Sequence, residues 1–191
     1  MGRLSKGRLI SMEPARTDPL PRLADRIVLR RLALTDLPSF QVYRRDSRVG
    51  LYQTWEPQSD LDASLFITEM SRVSLFPRGQ WVQLAIADRV TNVLVGDVGI
   101  CVAADLETAE IGFTLSVPAQ GRGLGTEAVR SAIDLVFDCV PVGQIVAITD
   151  ARNQASIRLL ERVGMRRVET IQAVFRGSPC TEYRYAKLRE G

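Results

Sequence analysis

The residues best suited to chemistry lie in one run: Pro118-Ala119-Gln120-Gly121-Arg122-Gly123-Leu124-Gly125-Thr126-Glu127-Ala128. Glycines at 121, 123 and 125 let the main chain approach a ligand without an intervening Cβ. They fall where a strand pattern gives way to a helix pattern. Free N–H groups and the positive end of a helix dipole therefore converge there, as a phosphate or pyrophosphate requires. Arg122 adds a charge-assisted contact. A Walker loop needs Gly-Lys-Ser/Thr, and no lysine is present. The dinucleotide spacing G-x-G-x-x-G fails because the third glycine is at 125 and not at 126.

The chain of 191 residues has no histidine. That excludes Ser-His-Asp and Cys-His catalysis, His-ligated zinc and an imidazole base. Proton transfer near neutral pH falls to a carboxylate, hydroxyl, thiol, amine or the substrate itself. The formal charge is +3, and residues 1–11 carry all of it through Arg3, Lys6 and Arg8. The neutral remainder argues against a nucleic-acid-binding surface. All basic residues but Lys6 and Lys187 are arginine, and their scatter reads as a compositional bias. Cys101, Cys139 and Cys180 are far apart and outside any C-x-x-C spacing, so no metal site and no disulfide framework is expected, and a cytoplasmic setting fits. Neither a signal-peptide h-region nor an apolar run of roughly 18 residues is read along these residues.

The glycine run resembles the Q/R-x-x-G-x-G/A signature of the GNAT superfamily of acyl-CoA N-acyltransferases, matched by Gln120, Gly123 and Gly125. A second signature is similar to the family's N-x-x-[AS] helix: Asn153-Gln154-Ala155-Ser156 through Gly164-Met165. Arg45-Asp46, Tyr52-Gln53-x-Trp55, Gly96-Asp97 and Gly177-x-x-x-Thr181-Glu182-x-x-Tyr185 resemble the RimJ/RimL-like branch. The resemblance implies a mostly antiparallel sheet flanked by helices and splayed at an acyl-CoA site. It implies acetyl-CoA as cosubstrate, held by Leu115, Val117, Gln120, Gly121, Arg122, Gly123, Leu124, Gly125, Thr126, Asn153 and Ser156. The reaction it implies moves acetyl directly to a primary amine, on a protein N-terminus or a small molecule, with no covalent acyl-enzyme. A noncatalytic acyl-CoA-binding module is the alternative.

A free alkyl amine has a pKa of about 10 and must lose a proton to attack, so a carboxylate is a suitable acceptor. Glu110, ten residues before Gln120, matches the general base of several family members. The alternation Glu110, Gly112, Thr114 against Ile111, Phe113, Leu115 puts it on the less apolar strand face, which suits a cleft or solvent. Many members protonate the leaving thiolate with a tyrosine seven residues after the Asn, but Leu160 stands there. Ser156 then becomes the candidate acid, with Asn153 doubling as helix N-cap. Arg45, Tyr52 and Trp55 are candidate acceptor-binding residues, although aromatics before a long helix also suit a core, as does Trp81.

The elements that must hold these groups follow from apolar period and turn residues. Strands are expected at 26–32, 81–86, 93–102, 109–117, 145–149, 165–174 and 181–188. Helices are expected from Thr35 to about Arg45, and at 61–75, 122–139 and 154–163. The fold class is mixed α/β, with a lead-in at 1–24 and a single domain at 25–191. Edge strands near the C-terminus leave room for a homodimer.

Overall fold

Strand and helix boundaries follow the change in apolar period along the chain. The computed structural model describes residues 18–190. Its strands are β1 (Arg22–Leu23), β2 (Ile27–Arg31), β3 (Trp81–Asp88), β4 (Leu94–Val102), β5 (Thr108–Leu115), β6 (Gln144–Asp150), β7 (Arg166–Phe175) and β8 (Ser178–Leu188). The helices are α1 (Leu37–Arg44), α2 (Ser47–Gly50), α3 (Asp60–Arg72), α4 (Leu124–Cys139) and α5 (Gln154–Arg162). All strands join one sheet in the order β1-β2-β3-β4-β5-β6-β8-β7. Every neighbouring pair is antiparallel except β5–β6.

That parallel pair positions the site. It runs only through Thr108↔Gln144, Ala109↔Ile145 and Glu110↔Val146. Beyond it, β5 stays with β4 as far as Gly96↔Leu115, and β6 stays with β8 as far as Asp150↔Glu182. The two halves of the sheet therefore part after Glu110. Helices α4 and α5 bury Leu124, Ala128, Ala132, Val136 and Leu160 against one face of the sheet. On the other face, α1 and α3 bury Phe40, Tyr43, Ile67 and Met70 against Ala85 and Leu94.

Several expected boundaries shift. Of the lead-in at 1–24, residues 1–17 lie outside the described residues, and Arg22–Leu23 pair with Val28–Leu29 as a short strand. The helix expected from Thr35 divides into a 3-10 turn, Leu34–Asp36, and α1, and the short α2 was not anticipated. Asp46 caps α2 by accepting from the Arg48 amide. Strand β5 ends at Leu115, because Pro118 sits in the 3-10 turn Val117–Ala119. Trp81 is not a core residue. It opens β3 and is 44% exposed.

Candidate active site

The three glycines before α4 serve two purposes. Gly121 and Gly123 hold φ of 70° and 81°, a region that favours glycine. Gly125 lets two leucines close over it: a Cβ there would lie 2.8 Å from Leu115 Cδ1 and 2.9 Å from Leu159 Cδ1, so both side-chain ends would have to shift. Gly123 caps α4 without a side-chain hydrogen bond, so the first-turn amides are left for a ligand. Glu127, in the same turn, accepts from the Arg26 and Ile27 amides and from Arg26 Nε, which ties α4 to the start of β2. Burial alone would raise the Glu127 carboxyl, but these hydrogen bonds hold it below its usual range.

This loop forms one wall of a cavity of about 470 Å³ in the opening between β5 and β6. Leu115, Gln120, Gly121, Gly123, Gly125 and Thr126 line one side, and Asn153, Ser156, Arg158, Leu159 and Arg162 of α5 line the other. Arg48, Tyr52 and Gln53 close it from the α2 side. Asn153 Oδ1 accepts from the Ser156 amide at 3.1 Å, capping α5 and leaving Nδ2 for a ligand. The preceding turn is pinned by Asp150, which accepts from the Arg152 amide, Nε and Nη2. Those contacts hold the Asp150 carboxyl low, with the Arg152 side chain as the main cause. Tyr52 lies under the Arg152 guanidinium, 5.9 Å from its ring centroid.

A second cavity, about 280 Å³, lies over β3–β5 beside α1. Its floor is Gln83, Asp97, Gly99, Gly112 and Thr114, and its walls include Phe40, Arg44, Trp55, Phe66 and Trp81, with Glu56 also lining it. The two cavities share Gln53, Phe113 and Thr114. Gln53 Nε2 donates to the Phe113 carbonyl at 3.3 Å, and Arg176, in the β7–β8 turn, donates to the carbonyls of Gly50 and Gln53. The reactive ends of two ligands would meet at this seam.

Glu110 lies outside both linings, on the same strand face as Gly112 and Thr114. Burial raises its pKa, Arg184 opposes the shift and Glu182 adds to it. A raised carboxyl pKa suits a base working near neutral pH. Cys101, the β4 partner of Glu110, is pushed up by burial and by that neighbour, so it stays a thiol.

The remaining expected residues divide. Tyr52 faces the larger cavity and Trp55 the smaller. Arg45 faces neither. It pairs with Asp60 at 2.6 Å on the surface, and its predecessor Arg44 turns inward, one position being about 100° around a helix. Val117 packs toward the α1–α3 core and Leu124 is buried in the other core. Arg122 extends outward, and its carbonyl accepts from Arg26. Leu160 is wholly buried, so its position does not reach the cavity. Sequence reasoning missed Arg158 and Arg162, which sit four apart on the cavity face of α5. That i, i+4 spacing was the available signal. Among the described residues no group of three or more Cys, Asp or Glu side chains is placed to hold a metal ion. None of their helices is long and apolar enough to cross a membrane.

The family model described as "Acetyltransferase (GNAT) domain" matches residues 26–166. The uncharacterized N-acetyltransferase p20 of Bacillus licheniformis is 27% identical over 144 residues, which is 75% of this chain and 80% of the relative. An acetyltransferase of the GNAT family from Bacillus anthracis superposes with TM-score 0.77 at 23% identity, covering 87% of this chain and 96% of that one. RimL, a ribosomal L7/L12 alpha-N-protein acetyltransferase solved with coenzyme A, superposes with TM-score 0.74 at 16% identity, covering 88% and 97%.

Proposed function

The chain belongs to the GNAT acetyltransferase family, and from that premise we propose that it moves acetyl from acetyl-CoA to a primary amine in one direct step at the seam between its two cavities. The observation that carries this reading is the sharing of Gln53, Phe113 and Thr114 by a helix-capped, arginine-lined cavity and an aromatic one. The loop amides and α4 N-terminus hold the pyrophosphate of acetyl-CoA, with Arg158 and Arg162 as charged partners. Asn153 Nδ2 and the opening between β5 and β6 receive the pantetheine arm. The amine enters over β3–β5, and Glu110 takes its proton through water, since the carboxylate stands apart from both cavities. The nitrogen forms a bond to the acetyl carbon and the C–S bond breaks; Ser156 relays a proton to the departing sulfur and regains one from the nitrogen, which sheds its second proton as the amide forms. Acceptors of two kinds fit this scheme, a protein N-terminus as acted on by RimL or a small amine.

The test is release of free CoA thiol from acetyl-CoA across a panel of amines and peptides. Amine-dependent release with intersecting double-reciprocal lines is expected for a ternary complex. Tight acetyl-CoA binding with no acceptor consumed would overturn the catalytic reading in favour of a binding module.

A further inference from the structure

The smaller cavity contains more polar chemistry than its own side chains satisfy. Among the described residues, four buried side-chain N or O atoms lack a hydrogen-bond partner, and three of them belong to residues lining this cavity: Arg44 Nε, Trp55 Nε1 and Gln83 Oε1. Two of the three are donors only, and the Gln83 amide presents donors after a turn about its last torsion. An oxygen lone pair is the partner that these donors lack.

Charge narrows the choice. Asp97 Oδ2 accepts from Arg44 Nη2 at 2.9 Å and from Tyr43 Oη at 2.5 Å, so the guanidinium is already neutralised by a carboxylate that is itself buried. A second carboxylate would be buried beside the first, at a desolvation cost. A cation gains nothing from the unpaired donors, and Arg44 already occupies the faces of Trp55 and Phe40, 4.3 Å and 4.7 Å from their centroids. We propose that this cavity is a recognition site for a neutral carbonyl oxygen, so that the acceptor is an amine whose adjoining carbon carries an amide. Arg44 Nε, Trp55 Nε1 and the Gln83 amide are the groups that would donate to that oxygen, each after a side-chain turn that uncovers it. The inference rests on the acetyl-transfer reading for the role of the ligand, and on the cavity alone for its binding.

The fold supplies its own probes. Trp55 and Trp81 are the chain's two tryptophans and both line the cavity, so indole emission reports occupancy without turnover. A Cβ on Gly112 would meet nothing within 4 Å, so a side chain there fills the cavity without disturbing β5. The full chain, with and without saturating CoA, is titrated with leucinamide, leucyl-glycyl-glycinamide, leucine and 3-methylbutylamine at about pH 6.5, where every amine is cationic. The two amides are expected to shift the emission saturably, with Kd at least about tenfold below those of leucine and 3-methylbutylamine. Equal affinity of the two amides makes a free amino amide sufficient, and tighter binding of the tripeptide identifies a peptide N-terminus as the source. Both results support the carbonyl site.

Trp55→Phe keeps the ring, loses the N–H and is expected to shrink the preference several-fold, with Trp81 as reporter. Gly112→Val is expected to abolish binding of the amides while calorimetric acetyl-CoA affinity stays the same, which also shows that the variant folds. Leucine or 3-methylbutylamine binding as tightly as leucinamide, or Gly112→Val leaving the titration unchanged, overturns the proposal. Failure of acetyl-CoA to bind, with the amide titration intact, would instead overturn the acetyl-transfer reading.

Discussion

Glu110 illustrates how a single residue serves two opposed demands. Its burial raises the carboxyl pKa, so the folded chain holds that proton more tightly than the unfolded chain does. Stability from this group is present at low pH and falls as pH rises through the folded-state pKa. Glu110→Gln removes the charge and the proposed base together. Its kcat at neutral pH is expected to fall about a hundredfold, and the acidic limb of the pH–rate profile to disappear. Its thermal midpoint at pH 7–8 is expected to rise, with no gain below the usual carboxylate range. Paired rate and melting curves check both halves. At this scale Gly121, Gly123 and Asn153 were legible because turn and cap geometry favours their types, whereas Ser156 was read from the family resemblance alone. Arg44 was not, because helix phase decides whether it or Arg45 turns inward, and that phase was set by the unforeseen break at Leu34–Asp36. Arg158 and Arg162 were hidden by a chain whose arginines are everywhere.

Elements fix distances that no single residue can. Strands β4 and β5 must run side by side to Leu115 while β6 leaves, and Gly96 makes the final pairing fit. A Cβ at that position would lie 2.2 Å from the Thr114 carbonyl oxygen, a main-chain atom that cannot yield without moving β5. Gly96→Ala is expected to destabilise the protein by about 1–3 kcal/mol in urea unfolding and to weaken acetyl-CoA binding through displaced Leu115. Gly112→Ala, two positions from Thr114 but facing open space, is expected to leave the unfolding midpoint nearly unchanged. The same residue type thus has opposite meanings on one strand pair. Sequence period located the strands, yet the register that separates the two glycines comes from long-range pairing, which period alone does not report. Trp81 was misread because a tryptophan in a strand suits a core, whereas here it borders a cavity and stays 44% exposed.

For the whole molecule, ligand and fold are coupled through the opening in the sheet. Acetyl-CoA would bridge the α4 loop, β5 and α5 along the cavity, adding to the core contacts these elements already share. At a concentration 100 times its Kd, such a ligand adds about 2.7 kcal/mol of stability. For a chain of this size that corresponds to a rise of roughly 5–10 °C in Tm. A thermal-shift comparison of acetyl-CoA with ATP and NAD checks this, the latter two expected to give much smaller rises. The mixed sheet was readable in outline from alternating strands and helices. The strand order was not, since β8 enters between β6 and β7 rather than at the edge.

That insertion has a temporal meaning. During synthesis, at about 5–20 residues per second, β7 leaves the ribosome before its neighbour in the sheet exists. Until Ser178–Leu188 follows, β6 keeps an open edge along Gln144–Asp150 and Arg176 stands at the end of an unfolded tail. The loop bearing Tyr52 and Trp55 is made more than 120 residues earlier, yet it waits for Arg176 to grip the carbonyls of Gly50 and Gln53. The nascent chain therefore holds both signature motifs before the proposed acceptor site is pinned, and that pinning comes only with the closing hairpin.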